Sequence, residues 1–351
     1  MNLKIDNRKN NVDIEFFNDI SLTLKYDAVA SSFAFSFYFN PENEAHKVFA
    51  AVGQYQLARV YHNGELLITG FILSQSFSSS AQRQLVQFGG YSVPGVLEDC
   101  QIPPSAYPLQ SDGLSLAQIV DKLLLPFQIK SEVDSSVASL MNKVYEKTTA
   151  SESESVKDYI TSLANQRNIV VTNTPTGRLL FTKAKTDLPE IIHFEKGVIG
   201  TSYSMTFNGQ TMHSEITVIK QASTDGGDAA QYTVKNIYVP KSTTAFRPKV
   251  IVQNSGDDID TREVAESQIA SELKGITLKI TTDRWEIGGK VIKPNNIITI
   301  TDAELFLYEK TRFFIESVEF TGNSTVETAV LTCVLPEVYS GVLPTKNIFV
   351  K

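Results

Sequence analysis

Four histidines, His46, His62, His193 and His213, are the first residues to weigh for chemistry, and they fall in four separate segments. No HxxxH or HxH spacing joins any two, so a histidine-based metal site is not expected. His62 sits at an expected hairpin tip, and all four are read as surface or satisfied histidines. Asp257, Asp258 and Asp260 share the acidity of a calcium loop, but Gly256 precedes them and no bidentate glutamate follows at the required distance. They are read as a solvated loop ending in a helix N-cap. Glu152 and Glu154 offer two carboxylates, yet glycosidase chemistry needs such groups facing across a cleft. Beside an expected helix start they more simply favour its dipole. Gly288-Gly289-Lys290 lacks the upstream glycine spacing of a phosphate loop and is read as a turn. No nucleophile elbow, P-loop or dinucleotide fingerprint is present. No catalytic, cofactor-binding or metal-ligating residue is therefore assigned, and the chain is read as a non-enzyme.

Composition narrows the classes further. A chain of 351 residues exceeds one ordinary core, and about two to four domains are expected. With 42% hydrophobic and 20% charged residues it has the balance of a folded protein. Phenylalanine (20) and tyrosine (13) far outnumber tryptophan (1) and methionine (4), a bias that favours strands. The net charge of −7 argues against a dedicated duplex binder, which needs clustered cations to displace counterions. A weakly acidic surface does suit a conduit through which nucleic acid slides. The only cysteines, Cys100 and Cys333, lie far apart in no metal spacing; they read as small buried residues of a chain made in a reducing cytoplasm. Met1 to Asn11 has no apolar run, and Leu123-Leu124-Leu125 meets Pro126 at once, so neither a signal peptide nor membrane insertion is expected.

The elements follow from periodicity. Phe33, Phe35, Phe37 and Phe39 alternate with Ala34, Ser36 and Tyr38, placing phenylalanines on one face of a strand as core. Asn63-Gly64 between apolar runs predicts a type I′ hairpin, because both central residues need positive φ. Ser76 to Gln82 reads as a loop before a strand from Gln84. Ser115 and Gln118 form a capping-box pair ahead of Leu116, Ile119, Val120 and Leu123, and Pro126 ends that helix. A second helix is predicted over Val156 to Gln166, and strands at Ile169–Val171 and Leu179–Phe181. Thr201 to Phe207 and Ser214 to Ile219 are predicted to pair about Asn208-Gly209. Thr224 to Ala229 reads as a loop, followed by a strand from Val234 to Val239. A basic segment holds Lys241, Arg247 and Lys249, open to reading as a partner contact or a solvated loop. A third helix is expected over Thr261 to Lys274, with Ala265, Ile269 and Leu273 on one face, Glu263 completing its cap and Gly275 at C′. Strands follow at Ile276 to Thr281, at Ile297 to Ile300 after the turn Pro294-Asn295-Asn296, and from Phe313 to Phe320 and Thr328 to Leu335 across Thr321-Gly322-Asn323.

Two blocks carry a family resemblance. The first is Phe88-Gly89-Gly90-Tyr91-Ser92-Val93-Pro94-Gly95-Val96-Leu97-Glu98-Asp99-Cys100, followed by Leu114 to Phe127 with its Leu124-Leu125-Pro126-Phe127 end. The second is the PxN entry to the strand at Ile297, then a hairpin closing on Leu335-Pro336-x-x-Tyr339. Both, in this order, resemble the Mu-like baseplate hub proteins of contractile phage tails, which are related to the hubs of T-even phages and type VI secretion spikes.

That resemblance implies a mainly β fold with α+β content: two tube-like antiparallel β-barrels plus two small α/β domains. The expected division is 1–103 first barrel, 104–190 small α/β domain, 191–222 with 289–341 second barrel, 223–288 α/β insertion and 342–351 tail. It further implies a structural hub of a contractile tail or prophage-derived injection machine. Three chains would form a ring adapting the sixfold tail tube to the threefold central spike. The implied partners are the homotrimer itself, the spike, the tail tube or tube initiator, the tape measure protein and the baseplate wedge proteins, with DNA only in transit. The implied location is the virion tail baseplate, assembled in the host cytoplasm. The alternatives are a hub-associated peptidoglycan hydrolase and a receptor- or carbohydrate-binding module; clearing of cell-wall turbidity would mark the hydrolase. Phe35, Phe37, Ile315, Val318 and Leu331 are expected in the core.

Overall fold

A computed structural model describes residues 3–7, 12–14, 17–80, 85–197, 202–220, 229–240, 246–253, 260–323 and 325–350, the first two stretches by backbone course alone. The chain divides into two units. One comprises Met1–Lys183, Arg284–Ile292 and Ser317–Ala329; the other comprises Ala184–Asp283, Lys293–Glu316 and Val330–Lys351.

In the first unit the aromatic strand is central. Strand Ser32–Tyr38 lies between Asp19–Lys25 and Leu85–Ser92, antiparallel to both. Phe33, Phe35 and Phe37 all point inward and are buried, so the alternation reads out as a core face. Phe88 stacks on Phe35 and Phe37 at 5.2 and 5.5 Å, and Phe49 meets Phe88 edge-on at 5.7 Å. These are offset and T-shaped arrangements that the ring quadrupoles favour. The hairpin between Leu57–His62 and Glu65–Ser76 turns at Asn63 (φ 48°) and Gly64 (φ 82°), as expected of type I′.

The helical segment has its own core. Ser115 accepts from Gln118 N while Gln118 Oε1 accepts from Ser115 N, closing the capping box on helix Leu116–Leu124. Helix Val156–Asn165 is capped by Ser155. Leu116, Ile119 and Val120 pack with Val156, Ile160 and Leu163 in one buried cluster. Against them lies a small sheet in which Leu179–Thr182 runs antiparallel to Val170–Asn173 and parallel to Ser131–Val133, a strand the sequence pattern did not reveal.

In the second unit helix Thr261–Glu272 covers a sheet of Ala230–Lys235, Glu215–Lys220 and Pro248–Gln253 through Ala265, Ile269, Ile216, Val218 and Val234. Elsewhere Ser202–Phe207 pairs antiparallel with Ile276–Thr282, and Ile297–Asp302 pairs with Glu190–Glu195 in parallel and with Leu307–Asn323 antiparallel. Asn295 takes φ 63° in the turn before Ile297, as anticipated. Ile315 and Leu331 are buried here, and Val318 in the first unit.

Several expectations are corrected. The two tube-like antiparallel β-barrels are absent: among the described residues no sheet closes on itself. In the first unit the strand order ends at Val12–Ile14, and in the second Glu190–Glu195 pairs on one side alone, in parallel with Ile297–Asp302. Closure needs every strand bonded on both sides, and the segment expected to turn does not. Residues 321–323 continue the strand Leu307–Asn323, pairing with Asp19–Ser21; the turn comes later, where Asn323 Oδ1 accepts from Thr325 N and Val326 N. The Asn208-Gly209 hairpin is also absent. Asn208 has φ −102° and caps a short 3-10 turn at Gly209–Thr211, and the following strand pairs with Ala230–Lys235 and Pro248–Gln253 instead. The strand placed at Val234 to Val239 is Ala230–Lys235. Asp260 caps its helix through Arg262 N rather than with Glu263. Gly275 is not a left-handed C′; a side chain there would meet Thr211 Oγ1 at 2.7 Å and Asn208 O at 2.9 Å, so close approach demands glycine.

Candidate functional site: a concave polar sheet face

The residues weighed for chemistry are not brought together. His46 accepts from Asn40 N at its Nδ1. His62 is not at the surface: it is buried under Trp285, with Nε2 3.2 Å from Glu286 Oε1. His193 contacts Thr299 and Glu195, and His213 lies 2.9 Å from Glu272, which also meets Lys249. Arg247 donates to the carbonyls of Met212 and Gln210, so both described cations of the basic stretch are held within the chain. Lys241, Asp257 and Asp258, with most of the Thr224 to Ala229 loop, lie outside the described residues. Glu154 accepts from Ser151 N, ahead of the helix that Ser155 caps. Gly288 and Gly289 make the turn between Glu286–Ile287 and Lys290–Val291, both at positive φ. Cys100 and Cys333 are free thiols, Cys333 buried and Cys100 only partly so. Among the described residues no cluster of three or more metal-ligating side chains occurs.

What the first unit does build is a concavity of about 630 Å³ on its main sheet. Register places Thr321, Ser21, Ala34, Gly89 and Ser74 in one row across five strands. The next row outward on the same face is Asn323, Asp19, Ser36, Gln87 and Ser76. Between these rows Ile20, Phe35 and Phe88 point to the other side, into the core. Period-two alternation therefore gives an apolar inner face and an outer face of hydroxyls, amides and glycine. Among the described residues no lysine, arginine or histidine lines the concavity. Its one ionisable group, Asp19, accepts from Ser36 Oγ at 2.5 Å and from Asn18 Nδ2 at 2.8 Å. A single carboxylate already engaged this way has no partner for acid–base work. Sequence reasoning missed this face because its residues are small, polar and spread from position 19 to 328.

The signature glycines owe their place to backbone crowding. A side chain at Gly90 would stand 1.9 Å from Phe71 O and 2.9 Å from the Phe33 ring. Tyr91 Oη donates to Asp99 Oδ2 at 2.5 Å, tying the strand end to the helix Val96–Asp99. Burial and this bond to Asp99 hold the Tyr91 phenol well above its ordinary value. In the second unit Pro336 opens helix Glu337–Ser340, which sets Tyr339 against Phe314 at 4.9 Å.

Residues 94–183 match the family described as baseplate hub protein gp44-like, second domain. The baseplate hub protein gp44 of Escherichia phage Mu is 24% identical over 275 residues, covering 74% of this chain and 69% of that protein. Two solved structures share the fold. The 43 kDa tail protein of prophage MuSo2 from Shewanella oneidensis has a TM-score of 0.77 at 20% identity, with 96% of this chain and 99% of that one covered. The tail protein from Neisseria meningitidis MC58 has a TM-score of 0.78 at 19% identity, with 97% and 99% covered. Over most of its length the chain is thus similar to the Mu-like phage tail baseplate hub proteins, and residues 94–183 match the second domain of that hub family.

Proposed function

We propose that three copies of the chain form a closed ring at the centre of the baseplate, with the concave polar face of the first unit turned toward a central passage. Three chains on a threefold axis would meet a spike of that symmetry below, and the two units of each chain would meet the tube above. The observation that carries this reading is that no cation lines the concavity among the described residues. A wall of hydroxyls and amides gives a passing polyanion nothing to release counterions against. The tape measure protein would occupy the passage before the genome, and wedge proteins would grip the outside. The helical segment, expected at 104–190, would stand as a separate α/β domain of this ring. The ring would be assembled in the bacterial cytoplasm and carried in the virion tail. Light scattering at micromolar concentration tests the proposal: the expected mass is that of three chains. A strict monomer, with no ring in images of tail particles, overturns it.

A further inference from the structure

Residues 342–350, VLPTKNIFV, cross the second unit as a segment that joins no sheet among the described residues. The chain just before them is fixed. Tyr339 packs on Phe314 and bonds Glu316, which holds helix Glu337–Ser340 in place. Gly341 then takes φ 71°, a conformation glycine adopts without strain, and the chain turns off the helix. Beyond it Leu343 packs against the core of Ile216, Ala265 and Ile269. Phe349 lies between Phe207 and Tyr238, edge-on to both, with ring centroids 6.0 Å away in each case. Lys346 Nζ reaches Glu309 Oε2 at 2.7 Å. The hydrogen bonds beside these anchors are long: Asn347 Nδ2 donates to Ile237 O over 3.4 Å, and Tyr238 Oη to Lys346 O over 3.5 Å.

None of the nine residues is buried, whereas Tyr238 beneath them is. Such a segment opens locally, because its buried contacts are few and lifting it breaks no sheet. We infer that the surface over Phe207 and Tyr238 is a docking seat for an extended peptide, with residues 342–350 as its built-in occupant. The segment is then a strap, and it must lift before any other peptide enters. Its own chemistry defines what fits: an aliphatic anchor at 343, a cation at 346 facing Glu309, and an aromatic ring at 349. Tethered through Gly341, the strap competes at an effective concentration of about millimolar, so weak ligands stay out. Docking here does not depend on the ring.

The test uses the full chain and a fluorescently labelled peptide of sequence VLPTKNIFV. In Phe349→Ala the strap loses its ring and the seat stands open more of the time. Apparent affinity rises with that open fraction, so anisotropy should show the peptide binding this variant at least about tenfold more tightly than the wild type. A peptide carrying Phe349→Ala should bind neither chain. Lys346→Glu changes an exposed side chain, keeps the aromatic contacts and sets like charges beside Glu309. It should tighten peptide binding as well, with the circular dichroism of both variants matching the wild type. In Phe349→Ala a lysine-specific protease should cut after Lys346 at least about tenfold faster, since cleavage follows the lifted population. Equal peptide affinity for the wild type and both variants, or no binding to either variant, overturns the docking seat.

Discussion

Tyr339 Oη donates a 2.6 Å hydrogen bond to Glu316 Oε1, joining the closing signature to a strand of the same unit. Lys274 Nζ stands 3.1 Å from the same oxygen and 5.0 Å from the Tyr339 ring centroid. The tyrosine thus meets a carboxylate through its hydroxyl and a cation through its face. Tyr339→Phe keeps the ring packing against Phe314 and removes the charged bond, so about 1.5–3 kcal/mol of stability should be lost. Urea unfolding reads this directly; an unchanged midpoint would mean the carboxylate is equally served by Lys274 alone.

Phe35→Ala removes a ring stacked with Phe88 and met edge-on by Phe49. The cost should be roughly 3–5 kcal/mol, the range for deleting a buried aromatic. A loss below about 1 kcal/mol would show that the phenylalanine face is not core.

Gly90→Ala tests the opposite failure. Its added carbon would overlap Phe71 O, so the strands must separate or the sheet must shift, at about 1–3 kcal/mol or more. Retention of the wild-type midpoint would refute close approach as the reason for glycine.

How much was legible depended on how locally each feature is specified. The capping box at Ser115 and Gln118 is complete within four residues, and it formed as read. Asn63-Gly64 and Asn208-Gly209 offer the same dipeptide, yet only the first makes a hairpin. The strands flanking Asn63-Gly64 find each other, whereas Phe207 and Glu215 are claimed by the distant strands Ile276–Thr282 and Ala230–Lys235. Tertiary pairing overrode a local signal there. The barrels failed for a related reason, because Thr321, Gly322 and Asn323 look like a turn but are held extended by Asp19–Ser21. The concave face left no local trace at all: Ser21, Ala34, Ser74, Gly89 and Thr321 become neighbours only through register.

Alkaline pH should unfold the protein by way of two tyrosines. Burial, aided by Asp27 and Asp134, holds the Tyr26 phenol well above its usual value, and burial with Glu337 does the same for Tyr238. An unfolded tyrosine ionises near pH ~10; the folded ones do so later. Their contribution is therefore complete below about pH 10 and is lost as pH rises through the folded values. Titration of tyrosinate absorbance should show a late fraction that appears together with loss of secondary structure. Smooth ionisation of all tyrosines before any unfolding would contradict this.

Thiol reactivity should separate the two cysteines. Burial, and to a lesser degree the charge of Glu316, raises the Cys333 thiol far above the range of reactive cysteines. A water-soluble thiol reagent should titrate Cys100 alone in the native protein and both on denaturation. Two reactive thiols at neutral pH without denaturant would contradict the burial of Cys333.

Ala34→Lys with Gln87→Lys would put cations on the concave face, where both positions are exposed. The variant should hold duplex DNA in a salt-dependent way, the logarithm of its affinity falling against that of salt by a slope of about −0.9 for each phosphate neutralised. In assembled particles it should slow genome release. Wild-type release rates would argue that this face does not meet the genome.

The chain passes between its two units at 183/184, 283/284, 292/293, 316/317 and 329/330. The first unit borrows Trp285 and Phe320 from the distal part of the sequence, and Trp285 Nε1 donates to Thr321 O within it. A gene cut after codon 183 would therefore strip the first unit of its tryptophan and of the strand that flanks Asp19–Lys25. Recombination, which exchanges contiguous stretches of DNA, has no single crossover that delivers either unit whole and by itself. Each unit therefore depends on separated segments of the gene, and the distal part of the gene serves both units.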